Sequence, residues 1–156
     1  MTRKSITRKA SDNRYYHPDF HIALNQALDY ILKNMGRGAV REYLARFARS
    51  HYASLKGELF SIGLPAIRQH YEKIFEIEKA NYDIQASSSG ELHIRLSGSP
   101  AVKHIRDGGY RVSDAYRETI PTVNQEICCH TDFGCELVEY NEENGAYHLR
   151  FYKRGE

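Results

Sequence analysis

The sequence predicts an α+β domain in which N-terminal helices pack on a four-stranded, mostly antiparallel sheet, with one further helix between two hairpins. Three observations carry this. Apolar residues recur at three-and-four spacing from Phe20 to Ile77, and after Ala80 they alternate with polar ones. The two alternating regions are each broken by a turn, Ser87-Ser-Ser-Gly90 in one and Asn141-Glu-Glu-Asn-Gly145 in the other.

A first helix is predicted from Phe20 to Asn34, because Phe20, Ala23, Leu24, Ala27, Leu28 and Ile31 form one stripe and Pro18-Asp19 suits a helix start. Met35-Gly-Arg-Gly38 ends it. A second helix is predicted from Ala39 to about Phe60 on the stripe Val40, Tyr43, Leu44, Phe47, Ala48, His51, Tyr52 and Leu55. After the break Ile62-Gly-Leu-Pro65, a third begins with Pro65 in its first turn and presents Ile67, Tyr71 and Ile74. Tyr82, Ile84 and Ala86, then Leu92, Ile94 and Leu96, make the first hairpin. Ser99 to Arg106 reads as a short helix stopped by Gly108-Gly109. A longer helix follows, with Pro121 marking either a kink or its true start. The last hairpin joins strands 135–140 and 146–152 through a loop whose Asn-Gly accommodates positive φ.

The chain has 156 residues, the size of one ordinary domain, and reads as a basic flexible arm at 1–14 followed by a single domain at 15–156. The net charge is +2. The arm holds five basic residues and one acidic, so it carries +4 and the body −2. A body without clustered positive charge argues against nucleic acid as a partner. No apolar run reaches the roughly 20 residues of a membrane span, and no signal-peptide stretch opens the chain, so no membrane partner and a cytoplasmic location are expected. Cys128, Cys129 and Cys135, an odd number, are expected to be reduced thiols.

Several groups of residues are candidates for chemistry. His17 and His21 are four apart and share a face if the helix is regular at His17, an arrangement able to hold a metal or relay a proton; otherwise they are an exposed and a core-edge histidine. Pro18 excludes the zinc-protease pattern, which needs Glu beside the first His. Cys128-Cys129-His130 with Cys135 offers thiolate and imidazole ligands, but the spacing matches no closed zinc motif, and two buried inert cysteines explain it as well. Tyr116, Arg117, Glu118, Asn124 and Glu126 offer a guanidinium, an amide and carboxylates on one segment, suited either to binding a small amino-acid-like ligand or to a solvated helix face. His104 follows Pro100 in a short segment able to line a pocket. His93 and His148 fall on the outward side of their strands.

The segments Tyr16-His17-Pro-Asp-Phe-His21-x-Ala23-Leu24, Arg41-Glu42-Tyr43-Leu44, Ser99-Pro-Ala-Val-x-His104 and Val123-Asn124-x-Glu126-Ile127-Cys128 resemble the L-2-amino-thiazoline-4-carboxylic acid hydrolase family. The resemblance spans Tyr16 to Tyr152. The layout is also similar to 4-vinyl reductase type small-molecule-binding domains. Members of both groups often carry cysteines where this chain has Ser99 and Gly145-Ala146-Tyr147. The resemblance implies a hydrolase that opens a cyclic amidine at a C–N bond, without a cofactor. His21 or His104 would be general base, Glu118 or Glu126 general acid, and His17, Arg117, Asn124 and Cys128 would contact the substrate. The alternative expectation is a non-catalytic small-molecule-binding or sensory domain acting as a homodimer. A catalytic pocket would converge two or more titratable groups on one point, and a sensor pocket would be mainly aromatic and aliphatic.

Overall fold

The computed structural model describes residues 18–155, and within them the α+β architecture is as the periodicity predicts. Four helices come first: α1 (Asp19–Met35), α2 (Arg37–His51), α3 (Ala53–Ile62) and α4 (Leu64–Glu78). The hairpin β1 (Tyr82–Ser88) and β2 (Glu91–Leu96) follows, then α5 (Pro100–Asp107), a 3-10 turn (Tyr116–Thr119), α6 (Pro121–Cys128) and the hairpin β3 (Phe133–Tyr140) and β4 (Tyr147–Lys153). No helix among the described residues is long and apolar enough to cross a membrane.

Two boundaries differ from expectation for physical reasons. The helix read from Ala39 to Phe60 is two helices broken at Tyr52, whose φ of −102° and ψ of 17° leave the helical region. The break costs no apolar phase, since Val40, Leu44, Ala48, Leu55 and Leu59 are all buried along one stripe, so periodicity does not register it. Aromatic contacts hold it: the Tyr52 ring stands edge-on to Phe47, His51 and His70. Pro121 is the true start of α6 and not a kink within a longer helix, because it lacks the N–H that a helix interior needs and sits at the first position, where none is required.

The sheet order is β1-β2-β4-β3, antiparallel throughout. Ile84, Ile94, Leu149 and Leu137 lie opposite one another across all four strands and form one row of the inner face. Leu92, Leu96, Tyr147 and Phe151 complete that face, with α4 against β1 and β2 and α6 against β3. Burial of each such side chain contributes roughly 1.5–3 kcal/mol. The helices cover one side only, so the other side of the sheet carries Glu91, His93, Arg95, His148 and Arg150. Gly145 turns the last hairpin at φ 68° while its backbone presses on α5, where a Cβ would meet Val102 at 2.6 Å and Ser99 at 2.7 Å. Only glycine meets both demands.

Candidate active site

One turn into α1, His21 is clamped from two directions. Its Nε2 lies 3.0 Å from Glu78 Oε1 at the end of α4, and its Nδ1 lies 3.1 Å from the Tyr116 hydroxyl in the 3-10 turn. The imidazole side chain is 16% exposed, the Glu78 side chain 8%, and Tyr116 5%. A carboxylate only accepts, so Nε2 carries the proton toward Glu78 and Nδ1 offers its lone pair to the phenol. A carboxylate–imidazole–hydroxyl chain results, with 57 and 95 residues of sequence between the partners.

Local structure explains the placement. Lys79 in the left-handed region, φ 53°, stops α4 directly after Glu78. Asn25, four residues beyond His21 and wholly buried, accepts from the Ser113 backbone N–H at 2.8 Å and donates to the Arg111 carbonyl at 2.9 Å. Successive turns of α1 therefore hold Tyr116 and the strand of chain leading to it. Two more phenols stand close to Glu78: burial first, and then its negative charge, push Tyr52 up to about 12 and raise Tyr147 well above the usual phenol range. A cleft of about 470 Å³ reaches this cluster at Glu78, the one member that lines it, together with Lys79, Ser99, Lys103, Arg106 and Asn144 among others.

The residues singled out by sequence do not assemble around His21. His17 lies outside the described residues. His104 pairs with Asp19 at 2.8 Å, on the side of α5 that meets α1. Arg117 reaches Glu142 at 3.0 Å and lies over the Tyr140 ring at 5.2 Å. Glu126 is held by Arg49 at 2.9 Å. Glu118 sits in a cage: Arg41 meets both its oxygens at 3.2 Å, Arg37 donates at 3.2 Å, and the Thr122 hydroxyl donates at 3.1 Å. Burial alone would raise its carboxyl, but these donors together hold it below the usual range. A carboxylate caged and held ionised in this way is poorly suited to the general-acid role expected of Glu118.

Asn124 and Cys128 are packed inside rather than presented to a ligand. Asn124 accepts from the Tyr71 hydroxyl at 2.9 Å and donates to the Ile120 carbonyl at 2.8 Å, so it closes the first turn of α6. Cys128 is 0% exposed, and burial pushes its thiol up to about 12, which leaves no thiolate near neutrality. Cys135 is buried beside it and raised for the same reason. Among the described residues no group of three or more His, Cys, Asp or Glu side chains could hold a metal ion. A larger open cleft of about 1440 Å³ is lined by Arg117, Glu118 and Glu126, with Arg37, Arg41 and Cys129. Its acids are already paired, Glu118 and Glu126 as above and Glu142 with Arg117, so it offers saturated ion pairs and no free acid or base in reach of one point.

Glu78, Tyr52 and Tyr147 were not singled out by sequence reasoning. Glu78 is the last helical residue of α4 in a run of alternating Glu and apolar residues, and nothing in that pattern separates it from solvated Glu72 or Glu76. No family model matches the chain, and no curated protein matches it.

Proposed function

We propose that this chain is a hydrolase of small cyclic amidines, opening a C–N bond at the Glu78–His21–Tyr116 chain. The observation that carries the reading is the convergence of a carboxylate, an imidazole and a phenol on one line of hydrogen bonds. Resemblance of the His17-to-His21, Ser99-to-His104 and Val123-to-Cys128 segments to the thiazoline-carboxylate hydrolases supplies the substrate class. The chain of bonds supplies the chemistry.

Water adds to the amidine carbon while its proton passes to the Tyr116 oxygen and the Tyr116 proton passes to His21 Nδ1. Glu78 holds the imidazole in the tautomer that accepts this proton and stabilises the imidazolium that forms. The same path in reverse delivers the proton to the ring nitrogen as the C–N bond breaks, so one relay serves as base and then as acid. Arg106, in the cleft that Glu78 also lines, provides charge for the substrate carboxylate, while Lys103 beside it is paired with Asp107. A non-catalytic binding domain is the second reading, and the aromatic packing of Tyr71, Phe75 and Tyr82 between α4 and β1 favours it.

The test is turnover of L-2-amino-thiazoline-4-carboxylate by the full chain, following the ring-opened product by mass spectrometry. Loss of roughly 10²–10⁴-fold in both His21→Ala and Tyr116→Phe is expected. No turnover by the unsubstituted chain, or undiminished turnover in His21→Ala, would overturn the proposal in favour of the binding domain.

A further inference from the structure

The cleft that Glu78 reaches carries an unbalanced charge. Its ionisable side chains are Lys79, Lys103 and Arg106 against Glu78 and Asp107. Both acids are engaged: Asp107 is paired with Lys103 one turn back on α5, and Glu78 turns its carboxylate onto His21 at 3.0 Å with its side chain 8% exposed. Lys79 and Arg106 are left over. No acid among the described residues pairs with Lys79, and Arg106 spends one N–H, at 3.4 Å, on the Glu142 carbonyl.

Lys79 is also held at a backbone cost. It ends α4 at φ 53° and ψ 41°, in the left-handed region, where glycine or asparagine is usual and a Cβ is penalised. Among the described residues only His130 shares a positive φ without being glycine. Strain of this kind collects at functional positions, and here it sets an ammonium on the residue next to the carboxylate of the relay. The lining of the cleft is otherwise partly apolar: Ala80 and Pro100 are half-buried and Val102 is 2% exposed.

We propose that Lys79 is the specificity-determining residue of this cleft, which takes a small carboxylate with a compact apolar ring: Lys79 and Arg106 hold the carboxylate, and the ring rests on Ala80, Pro100 and Val102. On the reading of Glu78–His21–Tyr116 as the reacting centre, on which this proposal rests, Lys79 decides which molecules reach it. The guanidinium fork of Arg106 matches both oxygens of a planar carboxylate, and the Lys79 ammonium adds a point charge. A volume of about 470 Å³ lies within the range of small-molecule sites. A carboxamide of the same shape forfeits both charge-assisted bonds, and acetate forfeits the apolar contact, so neither should bind as the ring acid does.

The test is titration of the full chain with thiazole-4-carboxylate, followed in nitrogen-15 amide spectra at low salt. This ring acid lacks the amidine that hydrolysis needs, so binding is read apart from turnover. Saturation with a Kd of about 0.1–1 mM is expected for so small a ligand, with shifts centred on the Lys79, Ala80, Ser99 and Val102 amides. Thiazole-4-carboxamide and acetate should each bind about tenfold more weakly or worse. Arg106→Met should weaken the ring acid roughly tenfold and Lys79→Gly by about threefold or more, while Arg46→Met, an exposed residue of α2 outside the cleft, should bind as the parent does. Lys79→Gly separates a ligand contact from a structural role, because relief of the left-handed backbone should raise Tm by about 2–4 °C even as binding falls. Equal affinity for acid and amide, unchanged binding in Lys79→Gly, or no saturation by about 10 mM would overturn the proposal. The expected binding pattern without turnover of the aminothiazoline would support the cleft assignment and overturn the hydrolase; turnover without it would do the reverse.

Discussion

Asn25→Ala removes a side chain that is 0% exposed and serves two backbone groups of the segment leading to Tyr116. The Ser113 N–H loses its acceptor at 2.8 Å and the Arg111 carbonyl its donor at 2.9 Å. Ser113 is 4% exposed, so water has little room to replace the lost partner. Each orphaned group costs roughly 1–3 kcal/mol, giving a total of about 2–6 kcal/mol. For a chain of this size a loss of about 3 kcal/mol lowers Tm by roughly 6–12 °C. The assay is urea unfolding with the slope checked for constancy. Gln26→Ala is the control, since Gln26 is exposed and only accepts a 3.3 Å bond from Asn25; it should cost under about 0.5 kcal/mol. A loss below about 1 kcal/mol in Asn25→Ala at unchanged slope would refute the reasoning, because it would mean that the segment relaxes to satisfy itself. Turnover should fall further than stability does, since Tyr116 is three residues from the broken anchor.

Other expectations follow from burial and charge. Glu118→Gln and Glu126→Gln should each leave turnover within roughly threefold of the parent, because each acid is bound to arginine and neither touches the relay, the effect of a surface substitution. Glu118, held below its ordinary range, contributes stability that is present above its unfolded pKa and lost as pH falls through the folded value; acid titration followed by circular dichroism should show a shallower loss in Glu118→Gln. His70 packs against Tyr52 and Tyr71, and burial lowers it to about 4. The unfolded state therefore binds the extra proton between pH 6.5 and about 4, so stability should fall with pH across that window, at up to about 1.4 kcal/mol per unit, and the slope should flatten in His70→Gln. Iodoacetamide should modify half-buried Cys129 in the native chain and leave Cys128 and Cys135 untouched until urea is added, as peptide mass spectrometry would show. Gly145→Ala should destabilise by about 1–3 kcal/mol in thermal melts, since the new methyl enters Val102 and Ser99 at a backbone angle that alanine avoids.

What the sequence made legible is what nearest neighbours decide. The stripe from Phe20 to Ile31, the alternation from Leu92 to Leu96 and the proline at position 100 each specify an element through contacts a few residues apart, and each is present in the fold. The turn at Tyr52 was not legible, because a one-residue lapse kept by aromatic packing leaves the apolar stripe in phase. The outward placement of His93 and His148 was legible from strand alternation alone, whereas their 2.8 Å contact depends on the β2–β4 register. Polar candidates fared unevenly for the same reason. His21 was marked by its four-residue spacing from His17, but whether a given Glu meets histidine or arginine depends on which distant element arrives beside it.

That dependence is sharpest in the contrast between Glu78 and Glu118. Both are carboxylates on helical segments next to apolar residues, and both are nearly closed to solvent, with side chains 8% and 9% exposed. Glu118 receives two guanidinium groups from α2, spaced four residues apart at Arg37 and Arg41, so one helix face delivers enough charge to fix it as an anion and tie α2 to the 3-10 turn. Glu78 receives an imidazole and stands among phenols, groups that exchange protons where guanidinium does not. On the proposed mechanism, proton transfer therefore runs past Glu78 and not past Glu118. Glu78→Gln should keep the fold, since an amide oxygen still accepts from His21, but remove the charge that stabilises the imidazolium, so kcat should fall by roughly 10²–10⁴-fold with KM little changed. Glu118→Gln should show the opposite split, a loss of stability with kcat retained. If instead the two variants lose kcat equally, the relay through His21 is not the path the protons take.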